Sequence, residues 1–202
     1  MAGVVALGTP SRATRRGTCR TIGRRMRSLT DAAKVRSFME ALGRRARGAG
    51  RVYLVGGATA VLHGWRATTV DIDLKMDPEP AGAFEAISVI KDELDVNVEL
   101  AAPDQFIPPL PRWQERSLFI ARHGDIEFFH YDPFSQALAK LERGHARDLD
   151  DVRAMVDRRL VSRDGLAARF DEIRGGMERY PAIDVEAFER KVRAFVDTST
   201  NG

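Results

Sequence analysis

The sequence predicts an α/β fold, α+β in its segregation. A mixed, twisted sheet flanked by helices occupies residues 28–132, and a C-terminal helical bundle occupies residues 133–202. Three observations carry this prediction. Apolar residues switch between helical spacing and strict alternation as far as Tyr131, then keep only helical spacing after Pro133. A β-rich run, residues 51–55, ends on Gly56-Gly57. Two further strand-like runs flank His123-Gly124, a hairpin signal.

Taken in order, residues 1–27 are rich in Arg, Gly, Ser and Thr and lack lasting periodicity. A disordered basic tail is expected there, with Met26 as a second candidate start. An RNA-touching arm and a transit peptide are the other readings of such a composition. A helix is expected to open at Ser28 or Thr30. It puts Val35, Phe38, Met39 and Leu42 on one face, and Arg44, Arg45 and Arg47 complement its C-terminal dipole.

After the strand at 51–55, residues 58–63 are helix-compatible and stop at Gly64. Residues 70–74 alternate Val, Asp, Ile, Asp, Leu, so Asp71 and Asp73 share one face of a strand. Phe84, Ile87, Ile90 and Leu94 mark a helix. Residues 96–100 form a strand with Asn97 and Glu99 on its polar face. The proline-rich stretch that follows favours irregular structure, and the hairpin pairs residues 117–122 with 125–131. Helices follow at 134–143, from Arg147 onward, at 163–177 and at 185–196.

Composition narrows the function classes. The 202 residues are 44% hydrophobic and 30% charged, an ordinary soluble balance. No run approaches the ~20 apolar residues of a membrane span, so no membrane partner is expected. A single cysteine, Cys19, excludes an internal disulfide and a Cys-rich zinc site. It points to a reducing compartment, the cytoplasm. The first 30 residues hold seven arginines and no lysine or acid, so the net +3 becomes −4 for residues 31–202. The high isoelectric point therefore does not imply a nucleic-acid-binding surface on the folded part.

The chemistry concentrates in residues 51–76. Two carboxylates on one strand face stand about 7 Å apart at Cα and repel. A hard divalent cation, Mg²⁺ or Mn²⁺, relieves that conflict and keeps open positions for phosphate. Gly56 and Gly57 let backbone N–H groups approach a phosphate with no Cβ in the way. Glu99 lies on the polar face of an otherwise apolar strand, and Glu127 is a second strand acid. Lys140 could hold phosphates as a point charge, with Asp151 orienting it or a substrate hydroxyl. Arg66 and Arg143 are further phosphate candidates. The four histidines lack metal-ligand spacing, and Trp65 and Trp113 read as packing or base-stacking residues. Neither a P-loop nor a dinucleotide-binding glycine fingerprint occurs.

Gly56-Gly57, a thirteen-residue gap and Asp71-Ile-Asp73 together resemble the signature of the polymerase-beta-like nucleotidyltransferase superfamily. The form GGATAVLHGWRATTVDIDL resembles its AbiEii/AbiGii toxin-like branch, whose pattern is a GG turn followed by Arg-x-Thr-x-Asp-x-Asp. Thr69, Asp71 and Asp73 match, and Arg66 stands earlier than the pattern places its arginine. Lys140, Arg147, Asp148 and Asp151 resemble that branch's Lys helix and Arg-Asp-x-x-Asp segment. The resemblance covers roughly residues 50–155. It implies a nucleotidyltransferase core over residues 28–132, with Asp71, Asp73 and a third carboxylate from a neighbouring strand, Glu99 first and Glu127 as the alternative, on Mg²⁺. Gly56, Gly57, Thr69 and Lys140 would bind the NTP, and Asp71, Asp73, Lys140 and Asp151 would be catalytic. It implies transfer of a nucleoside monophosphate to an RNA 3′ end such as that of tRNA, or to a protein hydroxyl. The context implied is a bacterial toxin–antitoxin or phage-defence pair with a cognate antitoxin. The rival expectations are a non-catalytic binding module or antitoxin with this fold, and a small-molecule adenylyltransferase.

Overall fold

The computed structural model describes residues 28–198, so the basic tail expected at 1–27 lies outside the described residues. The elements are α1 (Ala32–Arg45), β1 (Gly50–Val55), α2 (Gly56–Leu62), β2 (Asp71–Met76), α3 (Ala83–Glu93) and β3 (Asn97–Leu100). They continue with α4 (Trp113–Arg116), β4 (Leu118–His123), β5 (Ile126–His130), α5 (Pro133–Arg143), α6 (Ala146–Asp157), α7 (Arg163–Arg174) and α8 (Val185–Asp197).

The sheet is mixed, in the order β3-β2-β1-β5-β4. β1 runs antiparallel to β2 and parallel to β5, and β2 runs parallel to β3. The predicted hairpin is the antiparallel pair β4–β5, with a bulge between Phe119 and Ala121. This is the α/β architecture expected from the alternating periods.

Period two sends successive β1 side chains to opposite faces. Val52 and Leu54 enter one core with Ile72 and Leu74 of β2, under Val35, Phe38 and Leu42 of α1 and Ile87 and Ile90 of α3. Tyr53 and Val55 enter a second core with Tyr131, under Leu138 and Leu141 of α5, Val152 of α6, Phe170 of α7 and Phe188 of α8. Both faces of the central strand are therefore covered, which suits its nearly continuous apolar run.

Two starts differ from expectation. Helix α1 begins at Ala32, because Asp31 caps it by accepting from the Lys34 N–H. Thr30 is drawn instead into a β-bridge, with its N–H and C=O both bonded to Thr69 at 2.8 Å. Helix α2 begins at Gly56 itself, not beyond the glycines. The proline-rich stretch carries one 3-10 turn, Pro103–Gln105, and the single-turn α4. Among the described residues, no helix is long and apolar enough to cross a membrane.

Candidate active site

The site grows from the junction of β1, α2 and β2. Register sets Val55 opposite Asp73, so β1 reaches its glycines where β2 presents its second aspartate. Gly56 has φ of 56°, and a Cβ there would stand 3.0 Å from Asp73 Oδ2. At Gly57 a Cβ would fall 2.0 Å from Thr69 Oγ1. The glycine pair thus allows the chain just before β2 to close onto α2. The Gly56 N–H, which the glycine turn was expected to offer to phosphate, donates to Gln136 Oε1 at 2.8 Å. The Gln136 amide also donates to the Tyr131 carbonyl at 2.7 Å, so this buried side chain ties the turn to α5.

Helix α2 is held down by Thr59, whose hydroxyl donates to the Leu54 carbonyl at 3.0 Å. That leaves its oxygen to accept from His130 Nδ1 at 3.2 Å. Burial and neighbouring His63 push the His130 pKa down to about 3, so the ring is neutral at ordinary pH.

Asp71 and Asp73 share one face of β2, as alternation predicted. Parallel pairing places Asn97 opposite Asp71 and Glu99 opposite Asp73. Asn97 Nδ2 donates to Asp71 Oδ1 at 2.6 Å and to Glu99 Oε1 at 3.0 Å. Asp73 is pushed up to about 6 by burial and by the charges of Asp71 and Glu99, against the opposing pull of Arg143 and Lys140. The negative charge here is thus incompletely balanced by protein. An oxygen-only donor pair of this kind fits a hard divalent cation. Glu99 is exposed, and among the described residues no three His, Cys, Asp or Glu side chains stand close enough to form a metal-holding group. The arrangement offers a two-carboxylate set, with Glu99 linked to it through Asn97.

Opposite this pair lies a buried ionic network on α5 and α6. Lys140, only 4% exposed, pairs with Asp151 at 2.6 Å and with Asp148 at 3.4 Å. Asp151 also accepts from the Arg66 guanidinium and from Trp65 Nε1. Burial raises the Asp148 carboxyl, but hydrogen bonds and charge from Arg143 and Lys140 outweigh it and hold the group below its usual range. Helical spacing explains the network: Asp148 and Asp151, one turn apart on α6, face Lys140 on α5.

One cleft of about 440 Å³ collects most of these groups. Gly56, Gly57, Thr69, Asp71, Asp73 and Lys140 all line it, and Arg66 and Arg143 reach it too. Asp151 is not among its lining residues: it is buried behind Lys140 and Arg66 and acts through them. Glu99 is likewise absent from the lining. Glu127, the alternative third acid, pairs with Arg51 and borders a separate hollow with Gly50 and Pro78, so it is no part of this cleft. Gln136 was not singled out in the sequence, and Asn97 was placed on the polar face of its strand without a role. Gln136 precedes Lys140 by one helical turn, and that spacing was the available signal.

A family model described as a nucleotidyltransferase of unknown function (DUF6036) matches residues 32–199. No curated protein and no solved structure matches the chain.

Proposed function

This chain belongs to the family of nucleotidyltransferases of unknown function (DUF6036), and from that premise we propose that it moves a nucleoside monophosphate from an NTP to an acceptor hydroxyl. The carrying observation is convergence: the Asp71–Asp73 pair, the glycine turn and the buried Lys140 border a single cleft. Asp71 and Asp73 would hold Mg²⁺ or Mn²⁺, with Glu99 joining if its side chain turns inward. When bound, the cation supplies charge neutralisation at the α-phosphate and a more acidic acceptor hydroxyl. Lys140, Thr69 and the glycine turn would seat the phosphates, and Gln136 must yield the Gly56 N–H for that turn to contribute. Asp151 holds Lys140 and Arg66 in position from behind. In the transfer the acceptor oxygen bonds to the α-phosphorus as the bond to the β-phosphate breaks, releasing pyrophosphate and the hydroxyl proton.

The acceptor we favour is an RNA 3′ end such as that of tRNA, or a protein hydroxyl. The biological setting is the toxin-like member of a bacterial toxin–antitoxin or phage-defence pair, acting in the cytoplasm. Support for that setting is the resemblance of residues 56–74 to AbiEii/AbiGii proteins. The second reading, a binding module or antitoxin without catalysis, draws on the absence, among the described residues, of a third acid grouped with Asp71 and Asp73, and on the occupied Gly56 N–H.

The test supplies α-labelled NTPs, Mg²⁺ and total RNA. Wild type is expected to transfer label, and Asp71→Asn or Asp73→Asn to reduce transfer by about a hundredfold to a thousandfold, the scale of a lost electrostatic catalyst. Label on RNA or on protein identifies the acceptor class. Equal behaviour of wild type and both variants overturns the proposal.

A further inference from the structure

One wall of the same cleft has no place in the phosphate chemistry. It is built by Ala101, Ala102, Pro103 and Phe106, in the segment after β3. Phe106 is 46% exposed, while its neighbour Ile107 is 1% exposed in the core. The segment is anchored, so this exposure is imposed by the fold. The N–H groups of Phe106 and Ile107 both donate to the Pro103 carbonyl at 2.9 Å. Asp104 pairs with Lys75 of β2, and its carbonyl accepts from the Tyr180 hydroxyl at 3.0 Å. A 3-10 turn fastened at both sides therefore buries Ile107 and leaves the Phe106 ring facing the cleft. Val70, 56% exposed, lines the cleft as well.

The cleft thus sets an ionic side, where Lys140, Arg66, Arg143 and Arg147 stand with Asp71, Asp73 and Asp148, against an apolar side. Its complement is a molecule with a polyanionic tail and a planar apolar head. We propose that Phe106 is the stacking platform for the nucleobase of the incoming nucleoside triphosphate. The inference rests on the nucleotidyl-transfer reading and assigns that reading's base subsite. It also sets its selectivity. The wall presents two alanines, a proline and a phenylalanine, and no side chain there can read a base's hydrogen-bonding edge. Stacking accepts every base because each has a π-face, so preference among the four ribonucleotides stays within about tenfold.

The experiment measures binding of ATP, GTP, CTP, UTP, a short oligoribonucleotide and inorganic tripolyphosphate, each with Mg²⁺, to wild type, Phe106→Ala and Phe106→Tyr by calorimetry. Phe106→Ala is expected to weaken all four nucleotides by about tenfold to a hundredfold, to leave tripolyphosphate unchanged and to keep the wild-type melting curve. Phe106→Tyr should restore nucleotide affinity. If Phe106→Ala binds nucleotides as wild type does, or if a short oligoribonucleotide but no NTP depends on Phe106, the assignment is overturned while the phosphate site stands. If wild type binds neither nucleotide nor tripolyphosphate, the functional reading falls and this inference with it.

Discussion

Asp73 is where stability and chemistry oppose each other. Its folded-state pKa rises from 3.8 to about 6 because burial, Asp71 and Glu99 all disfavour its charged form. Between those values the folded chain keeps a proton that the unfolded chain has lost. Stability therefore falls as pH rises through that window, and the cost is complete above pH 6. Solvent access discounts the full conversion to on the order of 1–2 kcal/mol. Asp73→Asn is thus expected to raise the unfolding free energy of metal-free protein, from urea titration at pH 8, by that amount, and to leave it nearly unchanged at pH 4. Mg²⁺ should stabilise wild type at pH 8 more than the variant. Superimposable urea curves at both pH values would refute the charge conflict. The pair itself was legible in the sequence, because alternation alone puts residues 71 and 73 on one face. Gln136 was not, since its partner Gly56 lies 80 residues away and only tertiary packing joins them. Glu99 was legible as a strand residue, but its outward, exposed side chain was not, because periodicity names a face and says nothing of rotamer or depth.

At the scale of elements, close approach explains the glycines better than flexibility does. Gly57 sits inside α2 where a Cβ would meet Thr69 Oγ1 at 2.0 Å and Thr69 Cβ at 2.7 Å. Trimming the threonine to alanine would leave the second clash, so Gly57→Ala forces α2 away from the chain entering β2. A loss of about 1–3 kcal/mol is expected, the usual range for overpacking, together with lost nucleotide binding as Thr69 moves. Gly175, which ends α7, gives the contrast. Its φ is −66°, and a Cβ there meets nothing within 4 Å. Gly175→Ala should stabilise by about 0.4–1 kcal/mol through the unfolded chain alone. Paired urea titrations check both signs, and a neutral Gly57→Ala would show that the α2–β2 junction yields. Element types were mostly legible because the chain's patterns are strong. The starts of α1 and α2 were not, since Thr30 is claimed by a bridge to a residue 39 positions away and the glycines themselves enter the helix.

For the whole molecule, the central sheet belongs to two cores at once. Tyr53 and Tyr131 are at most 1% exposed, on the face covered by α5 to α8, while Val52 and Leu54 are fully buried under α1 and α3. Trp113 stacks on Tyr131 at 4.3 Å and meets Tyr53 edge-on at 4.8 Å, so the aromatic cluster on the sheet side of the second core comes from residues before 133. Its cover comes from residues after 133. The cleft is divided the same way: Asp71, Asp73 and the glycines come from the first part, Gln136 and Lys140 from the second. The sequence could mark where strands give way to helices, but not that one sheet face depends on the helices, because period two predicts two faces without naming what covers each. A fragment of residues 28–132 would expose a contiguous aromatic and aliphatic face, which isolated domains avoid. It is expected to unfold without a cooperative urea transition and to bind a hydrophobic dye. Adding residues 133–198 in trans should sharpen the transition and suppress the dye signal. A sharp transition for residues 28–132 alone would instead make the strand-to-helix boundary a true domain boundary, with the nucleotide cleft lying between two independently stable parts.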